Sequence, residues 1–309
     1  MSRTPEPTLR LLSLGAGVQS SVLLMLAAEG GIPPVDGAIF ADTGREPPAI
    51  YTHLDRLERE IAQSAGIPIY RVGIGNIRDD ALDPTQRFAS MPMFVKNLDG
   101  SDGMARRQCT SEYKLRPVKE QTRRLLGSED KPNGRPGRVP TGRWAQTLIG
   151  FSTDEADRAL RMQDVGYSQS TFPLLELGMS RKDCRRYLTK RGFGDTQKSS
   201  CIGCPYRSNK SWRRMRDESP ADFADAVAFD AAIRNGAGRT DPRSGQPLWR
   251  GEMYLHRTHL PLADAPIDRV PASEWAERQG DILELSLQMA DEREDADEAP
   301  GCSPWGCHS

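Results

Sequence analysis

The feature that most constrains the fold is an apolar stretch at residues 11–24 (LLSLGAGVQSSVLL), which three small residues interrupt. The run before the interruption predicts a buried strand, and the run that resumes at Val18 fits a helix. A strand that turns into a helix through residues 15–17 leaves backbone N–H groups pointing outward, where the helix dipole adds partial positive charge. Ser20 and Ser21 add hydroxyl donors. The sequence therefore indicates an anion site, although the same spacing also fits an ordinary tight turn.

The first half of the chain alternates between short apolar runs and helix-compatible segments. It predicts strands at residues 10–14, 35–41, 67–72 and 144–150, and helices at 18–29, 47–65, 111–126 and 153–162. This alternation predicts an α/β fold with a doubly wound, mostly parallel sheet. Ligands of such sheets bind at the carboxyl ends of strands, where residues 15–17 and 42–44 both fall. Two stretches without periodicity, 73–103 and 127–142, are predicted to be loops.

The second half of the chain has a different pattern. Strand alternation stops near residue 171, and the sequence predicts helices at 180–191, 219–234 and 273–293. Residues 291–298 form an acidic run that we interpret as a linker. We therefore divide the chain into a doubly wound domain at 1–165 and a helical portion at 166–309, which carries most of the cysteines.

The amino-acid composition places few limits on the class of partner that the chain binds. The 309 residues carry a formal net charge of −1, so the chain has no overall bias toward polyanions. No apolar run approaches the roughly 18 residues of a membrane span, and residues 1–10 lack the apolar core of a signal peptide, so we expect a cytoplasmic protein without a membrane partner. Basic runs at 123–143 and 207–216 are local exceptions. Trp212, in the second run, either stacks on a nucleic-acid base or turns inward from a solvated helix.

Six cysteines occur, at positions 109, 184, 201, 204, 302 and 307. In a long intracellular chain, cysteines are metal-binding or catalytic more often than disulfide-bonded. The pair Cys201 and Cys204 forms a C-x-x-C pattern, which zinc sites, iron–sulfur sites and redox dithiols all use. Cys109 and the C-terminal pair can supply further ligands, whereas Cys184 lies in a charged helical segment and is expected to have no role. We expect His53 on a surface helix face and give no role to His256 or His259.

Residues 15–20 (GAGVQS) resemble the pyrophosphate-binding loop, S-G-G-x-D-S, of the adenine nucleotide alpha-hydrolase (PP-loop) superfamily. That superfamily includes phosphoadenylylsulfate (PAPS) reductases, ATP sulfurylase subunits and the ATP-dependent thiolation enzymes of tRNA and DNA. Gln19 stands where these proteins have an acidic residue that helps to hold Mg²⁺. The resemblance implies that ATP, or an adenylylated sulfate as substrate, binds with Mg²⁺ at Ser13, Gly15, Ala16, Gly17, Gln19, Ser20 and Ser21.

Three further stretches resemble the same superfamily. Residues 40–44 (FADTG) resemble its D-T-G turn beside the nucleotide, which implies nucleotide contacts from Asp42, Thr43 and Gly44; an ordinary Asx turn is the alternative. Lys114 resembles a basic residue that faces phosphate or sulfate. Residues 150–155 with Arg158 resemble a glycine- and glutamate-bearing turn of the superfamily, which implies that Gly150 lies at the nucleotide and that Arg158 clamps phosphate oxygens.

The cysteines resemble those of the iron–sulfur members. Residues 107–110 (RQCT) resemble a cysteine loop that adenylylsulfate reductases and DNA phosphorothioation enzymes pair with a later C-x-x-C. Residues 302–307 resemble the tail of bacterial and phage proteins similar to PAPS reductases. The resemblance implies a 4Fe–4S cluster, with zinc as the alternative, on Cys109, Cys201, Cys204 and Cys307. Cys302 is a ligand, a sulfur carrier or neither.

The implied activity is ATP-dependent sulfur transfer by a PAPS reductase-like enzyme, with Lys114, Arg158 and Cys302 as catalytic residues. An acceptor is adenylated with release of pyrophosphate and then thiolated, so a sulfur donor and an acceptor, which nucleic acid could be, are implied partners. The alternative is reduction of an adenylylated sulfate to sulfite with a thiol reductant. A third reading is a non-catalytic, metal-stapled module that binds nucleotides or nucleic acids.

Overall fold

The computed structural model describes the chain from residue 6 to residue 282, with gaps. The described ranges are 6–86, 91–240, 243–246, 251–272, 274–276, 278–280 and 282. Cys302 and Cys307, the acidic run and most of the helix expected at 273–293 lie outside these residues. Among the helices within them, none is long and apolar enough to cross a membrane.

The described elements alternate in the first half of the chain as the sequence predicts. The strands are β1 (Leu9–Leu14), β2 (Gly37–Asp42), β3 (Ile69–Gly73), β4 (Phe94–Lys96), β5 (Asp102–Met104), β6 (Ala145–Ile149), β7 (Ser168–Thr171) and β8 (Glu252–Tyr254). The α-helices are α1 (Val18–Ala28), α2 (Pro48–Leu57), α3 (Ile77–Leu82), α4 (Arg116–Leu125), α5 (Ala156–Leu160), α6 (Pro173–Glu176), α7 (Arg181–Thr189), α8 (Asn209–Glu218) and α9 (Pro220–Ile233).

Five parallel strands form the central sheet in the order β3-β2-β1-β6-β7. Helices cover both faces, as apolar strand residues on both faces require. Leu12 and Leu14 pack with α1 and α2 on one face, whereas Leu11 packs with Leu126 at the end of α4 on the other. The model is therefore an α/β fold compatible with a doubly wound sheet. The chain order reverses between β1 and β6, which places a ligand crevice beside the loop after β1.

A second apolar core joins distant parts of the chain. It includes Met93 from the segment before β4, Trp212 from α8 and Phe229 from α9. Beside it, β4 pairs with both β5 and β8 in a small antiparallel sheet. The stretch 73–103, which we expected to be an irregular covering loop, therefore contains α3, β4 and part of β5. The strand β4 pairs Phe94 with Tyr254 of β8, far along the chain.

Other elements also differ from the prediction. The helix expected at 47–65 is α2 followed by a π-helical segment, Glu58–Ala62. The helix expected at 111–126 is a π-helical segment, Thr110–Leu115, followed by α4, and Pro117 lies in the first turn of α4, where its missing N–H costs little. A fifth strand of the central sheet, β7, lies beyond residue 165, at which we expected the doubly wound domain to end.

Candidate functional site

The loop between β1 and α1 is organised by one serine. The Ser20 hydroxyl oxygen accepts hydrogen bonds from the backbone N–H groups of Gly15 (3.1 Å) and Gly17 (3.3 Å). Because Ser20 lies in the first turn of α1, this arrangement keeps the N–H groups of the loop gathered at the helix N-terminus. The loop is thus preorganised for an anion, which could replace the hydroxyl as acceptor.

The loop opens into a cavity of about 290 Å³, which we call the glycine-loop cavity. Predicted site residues that line it are Ser13, Gly15, Gly17, Gln19, Ser20, Gly150 and Arg158. Gly150 comes close to the loop, since a Cβ atom there would lie 3.1 Å from the backbone N of Ser20. Gly17 is equally confined: a Cβ atom there would lie 3.2 Å from the backbone N of Ser199. The loop is therefore enclosed by the end of β6 and by the segment around Ser199.

Two residues that we expected at the nucleotide point into the core instead. Ala16 is fully buried and has a positive φ of 49°, and it does not line the cavity. Ser21 is also fully buried, and its hydroxyl oxygen lies 2.9 Å from Nε2 of His53. His53, which we expected at the surface, is buried, and burial lowers its pKa. The surface position expected for His53 was wrong, because α1 presents Ser21 to His53 on α2. The nucleotide contacts expected of Ala16 and Ser21 stay predictions, and neither side chain faces the cavity.

Gln19 and Arg158 meet at one carboxylate. The Gln19 side-chain amide donates to Glu155 at 2.9 Å, and the Arg158 guanidinium forms a salt bridge with the same carboxylate. Arg158 also lies over the Phe151 ring, 4.5 Å from its centroid. The arginine that was expected to clamp phosphate is therefore held beside the loop by an acid and an aromatic ring.

A larger cavity of about 660 Å³ adjoins the first. We call it the cysteine cavity, because Cys109, Cys201 and Cys204 all line it. Thr43 and Lys114 line it as well. The two cavities share a wall of Glu155, Arg158, Arg181, Lys198 and Ser199. The structure thus brings the three described cysteines of the predicted cluster together, next to the glycine loop.

Cys201 lies against a buried carboxylate that the sequence analysis missed. Its Sγ is 3.6 Å from Glu46 and 3.2 Å from the Thr43 hydroxyl. Glu46 is 3% exposed and accepts a salt bridge from Lys114 at 3.2 Å. Burial, and then the charge of Glu46, raise the pKa of the Cys201 thiol to about 12. An uncharged thiol is therefore the stable form of Cys201 until a cation is bound beside it.

The C-x-x-C turn is fixed by contacts from distant elements. The Ile202 backbone N–H donates to the carbonyl of Arg45 at 3.0 Å. Gly203 lies against Phe229, whose ring a Cβ atom would approach to 2.9 Å. The Arg207 guanidinium donates to the Cys201 carbonyl at 3.0 Å. These bonds hold the two thiols at the cavity wall, and burial raises the pKa of the Cys109 thiol opposite them.

The D-T-G turn, residues 42–44, contributes to the cysteine cavity and not to the glycine-loop cavity. The Asp42 carboxylate accepts hydrogen bonds from the Gly44 N–H and the Tyr51 hydroxyl, both at 2.7 Å, and it lines neither cavity. Gly44 has φ +68° and packs against Asn76, where a Cβ atom would clash at 2.9 Å. Only Thr43 of this turn faces a cavity, the one with the cysteines. For Asp42, the Asx-turn alternative describes the structure.

The remaining candidates are structural. Trp212 is fully buried, so the alternative in which it turns inward from α8 is confirmed and base stacking is wrong. His256 is buried and bonds Asn209 and Thr258, which makes it a packing group. Cys184 lies in the core against the sheet. Among the residues that the structure describes, no three cysteine, histidine or acidic side chains are close enough to hold a single metal ion.

Two comparisons of the sequence with known proteins gave no match. A scan against models of protein families gave no match, and neither did a search of curated proteins.

Proposed function

We propose that this chain is a PP-loop protein that binds an adenine nucleotide and uses it for ATP-dependent sulfur transfer. The observation that carries the proposal is the shared wall between the two cavities. A nucleotide with its phosphates at the glycine loop would place its α-phosphate within reach of the cysteine cavity. Activation and sulfur delivery could then take place without release of an intermediate.

The first step is adenylation of the acceptor. An acceptor oxygen bonds to the α-phosphorus, the bond to the bridging oxygen breaks, and pyrophosphate leaves with the electron pair. The loop N–H groups and Arg158 are placed to stabilise charge on the phosphates. Glu155 lines both cavities and is the group we assign to take the proton of the acceptor. A hydrosulfide donor then forms a bond from its sulfur to the activated acceptor atom, the bond from that atom to the AMP oxygen breaks, and AMP leaves with the electron pair.

The cysteine residues fit an iron–sulfur cofactor. Cys109, Cys201 and Cys204 would hold a 4Fe–4S cluster, with the fourth ligand from Cys307, which lies outside the described residues. Ligands of a cluster are farther apart than ligands of one ion, so three cysteines around a cavity suit a cluster, whereas zinc would require the thiols to move closer. With Cys307 as the fourth ligand every iron would be coordinated by the protein, whereas a cluster on the three described cysteines alone would supply an open iron for a sulfur atom. Lys114 and Arg207 would balance the charge of the thiolates.

The proposal is tested by anaerobic turnover. Purified chain, ATP, a sulfide donor and candidate acceptors, tRNA and DNA among them, should release pyrophosphate only when an acceptor is present. Arg158→Ala should lower the rate, whereas Arg161→Ala, one turn from the wall, should not. Pyrophosphate release that needs no acceptor would contradict the sulfur-transfer assignment.

Sulfonucleotide reduction is the second candidate, and the basic lining of the cysteine cavity favours it. Arg107, Arg181 and Lys198 line that cavity and suit a sulfonate. A cysteine thiolate would attack the sulfur with AMP or its 3′-phosphate form leaving, and an external dithiol would then release sulfite while it is oxidised to a disulfide. Sulfite from an adenylylated sulfate, without pyrophosphate from ATP, would select this candidate. If neither pyrophosphate nor sulfite is released, the remaining candidate is the non-catalytic module that binds nucleotides or nucleic acids.

A further inference from the structure

We infer that the chain neutralises the phosphates of its ligand with three of its own basic side chains, Arg181, Arg185 and Lys198, so that binding does not need Mg²⁺. The inference rests on the proposed nucleotide function and specifies how the same site binds its ligand. Nothing in the sequence patterns singled out these residues, because they lie about 165 to 180 positions after the loop.

The three residues converge on one cavity from two segments. Arg181 and Arg185 are one turn apart on α7 and therefore lie on the same helix face. Lys198 belongs to the segment after α7, next to Ser199, which packs against Gly17. All three line the glycine-loop cavity together with the loop itself. Phosphates bound at the loop N–H groups would thus have basic side chains on their open side.

The cationic groups of these three residues form no direct ion pair within the described part of the chain. No salt bridge or hydrogen bond there involves the guanidinium groups of Arg181 and Arg185 or the ammonium group of Lys198. Arg181 does have an acid nearby, since its backbone N–H donates to the Asp154 carboxylate at 2.6 Å. Arg158, the fourth basic residue of the cavity, is instead paired with Glu155. Unpaired cations around a cavity repel one another, and a polyanion would relieve that repulsion.

The acidic residues that line the glycine-loop cavity are too few to favour binding of a metal ion. Glu155 is the one acid among its described lining residues. Its carboxylate already accepts from the Gln19 amide and the Arg158 guanidinium. A metal ion on the phosphates would have to displace these donors and would face three further cations. Neutralisation by the side chains requires no such rearrangement.

The test compares ATP and inorganic tripolyphosphate as probes in calorimetric titrations, in EDTA and in Mg²⁺. We expect ATP to bind in EDTA with a Kd within about threefold of the Mg²⁺ value. Affinity in EDTA should fall from ATP to ADP to AMP, because each lost phosphate removes a partner of the cations. Added salt should weaken binding, since Arg185 and Lys198 are exposed and their charges are screened.

Alanine substitutions test which basic residues bind the phosphates. Arg181→Ala, Arg185→Ala and Lys198→Ala should each weaken ATP binding in EDTA by about fivefold or more. Arg186→Ala is the matched control, since it removes an exposed arginine of the same helix that pairs with Asp183 and does not line the cavity. Circular dichroism should show the same fold in all four, because none of these side chains packs in a core.

The outcomes separate this inference from the proposed function. ATP binding that needs Mg²⁺, or variants that bind ATP as the wild type does, would overturn the inference and leave the nucleotide function intact. Tripolyphosphate binding that depends on the three cations, without ATP binding, would support the inference and contradict the nucleotide function. If neither probe binds, both are wrong.

Discussion

The two cavities use their positive charges in opposite ways. In the glycine-loop cavity the cationic groups of Arg181, Arg185 and Lys198 form no salt bridge with a described acid. In the cysteine cavity, Lys114 pairs with Glu46, and Arg45 pairs with Asp225. The glycine-loop cavity and the wall that it shares with the cysteine cavity are therefore prepared for an external polyanion, whereas the part of the cysteine cavity around Cys201 and Arg45 satisfies its own charges.

The two cavities depend on different kinds of contact. The hydrogen bonds of the glycine loop join groups within five residues, and Gly150 and Ser199 enclose the loop by contact without ion pairs, so its variants should change binding more than stability. The cysteine cavity is held together by long-range ion pairs, such as Arg78 with Asp225 at 3.3 Å, so its variants should change stability as well. The following predictions test this contrast.

The largest expected effect is on metal content. Cys201→Ser and Cys204→Ser should lose the iron and the visible absorption of anaerobically purified protein, because each removes one cluster ligand. Cys184→Ala is the control and should keep both, since Cys184 lies in the core away from the cavity. Stoichiometric zinc without iron in the wild type would contradict the cluster assignment.

Gly17→Val should abolish nucleotide binding and leave the fold in place. Gly17 has φ −106°, which any residue tolerates, so the effect would come from the contact with Ser199 alone. We expect affinity to fall by more than about tenfold, equivalent to about 1.4 kcal/mol. Gly166→Val, at a position with free space around it, is the control. Calorimetry that finds wild-type affinity for Gly17→Val would contradict the location of the phosphates.

Lys114→Ala and Lys198→Ala should differ in stability. Lys114 is the cationic partner of a carboxylate whose side chain is 1% exposed, so its loss leaves Glu46 buried without its counter-ion. Because Lys114 itself is partly exposed, we expect a loss of about 1–2 kcal/mol in the free energy of unfolding. Lys198→Ala should stay within about 0.5 kcal/mol. If urea titrations show equal losses in the free energy of unfolding for Lys114→Ala and Lys198→Ala, the proposed difference between the two cavities is wrong.

The sequence predicted the local part of this arrangement. The glycine loop, β1 and α1 follow from residues that are neighbours along the chain. The pair of Glu46 with Cys201 joins positions 155 residues apart, and no periodicity encodes such a contact. The pairing of β4 with β8 and the convergence of Lys198 on the loop were missed for the same reason. Ser21 and Asp42 show the converse: the sequence predicts both at the nucleotide, yet His53 contacts the Ser21 hydroxyl and Tyr51 donates to the Asp42 carboxylate.

A buried histidine makes the stability of both cores depend on pH in the same direction. Burial lowers the pKa of His53 behind the glycine loop and of His256 behind the cysteine cavity. The unfolded chain therefore binds more protons below its histidine pKa of about 6.5, and stability falls as pH drops through that range. His53→Gln removes one of the groups that bind a proton on unfolding. The free energy of unfolding of this variant should therefore fall less between pH 7.5 and 5.5 than that of the wild type. An unchanged slope in urea titrations would contradict burial of a neutral His53.

The smallest effect is expected at Ala16, where the chain holds an alanine in a left-handed conformation. Ala16→Gly relieves about 1 kcal/mol of backbone strain but loses a buried methyl group and gains unfolded-state entropy, at a combined cost of about the same size. We therefore expect unchanged stability within about 1 kcal/mol and unchanged nucleotide affinity. Ala16→Val, with a branched side chain at the same φ, should destabilise the chain. A large gain in affinity for Ala16→Gly would mean that the alanine distorts the loop, and that the glycine-loop cavity has to rearrange before it binds phosphate.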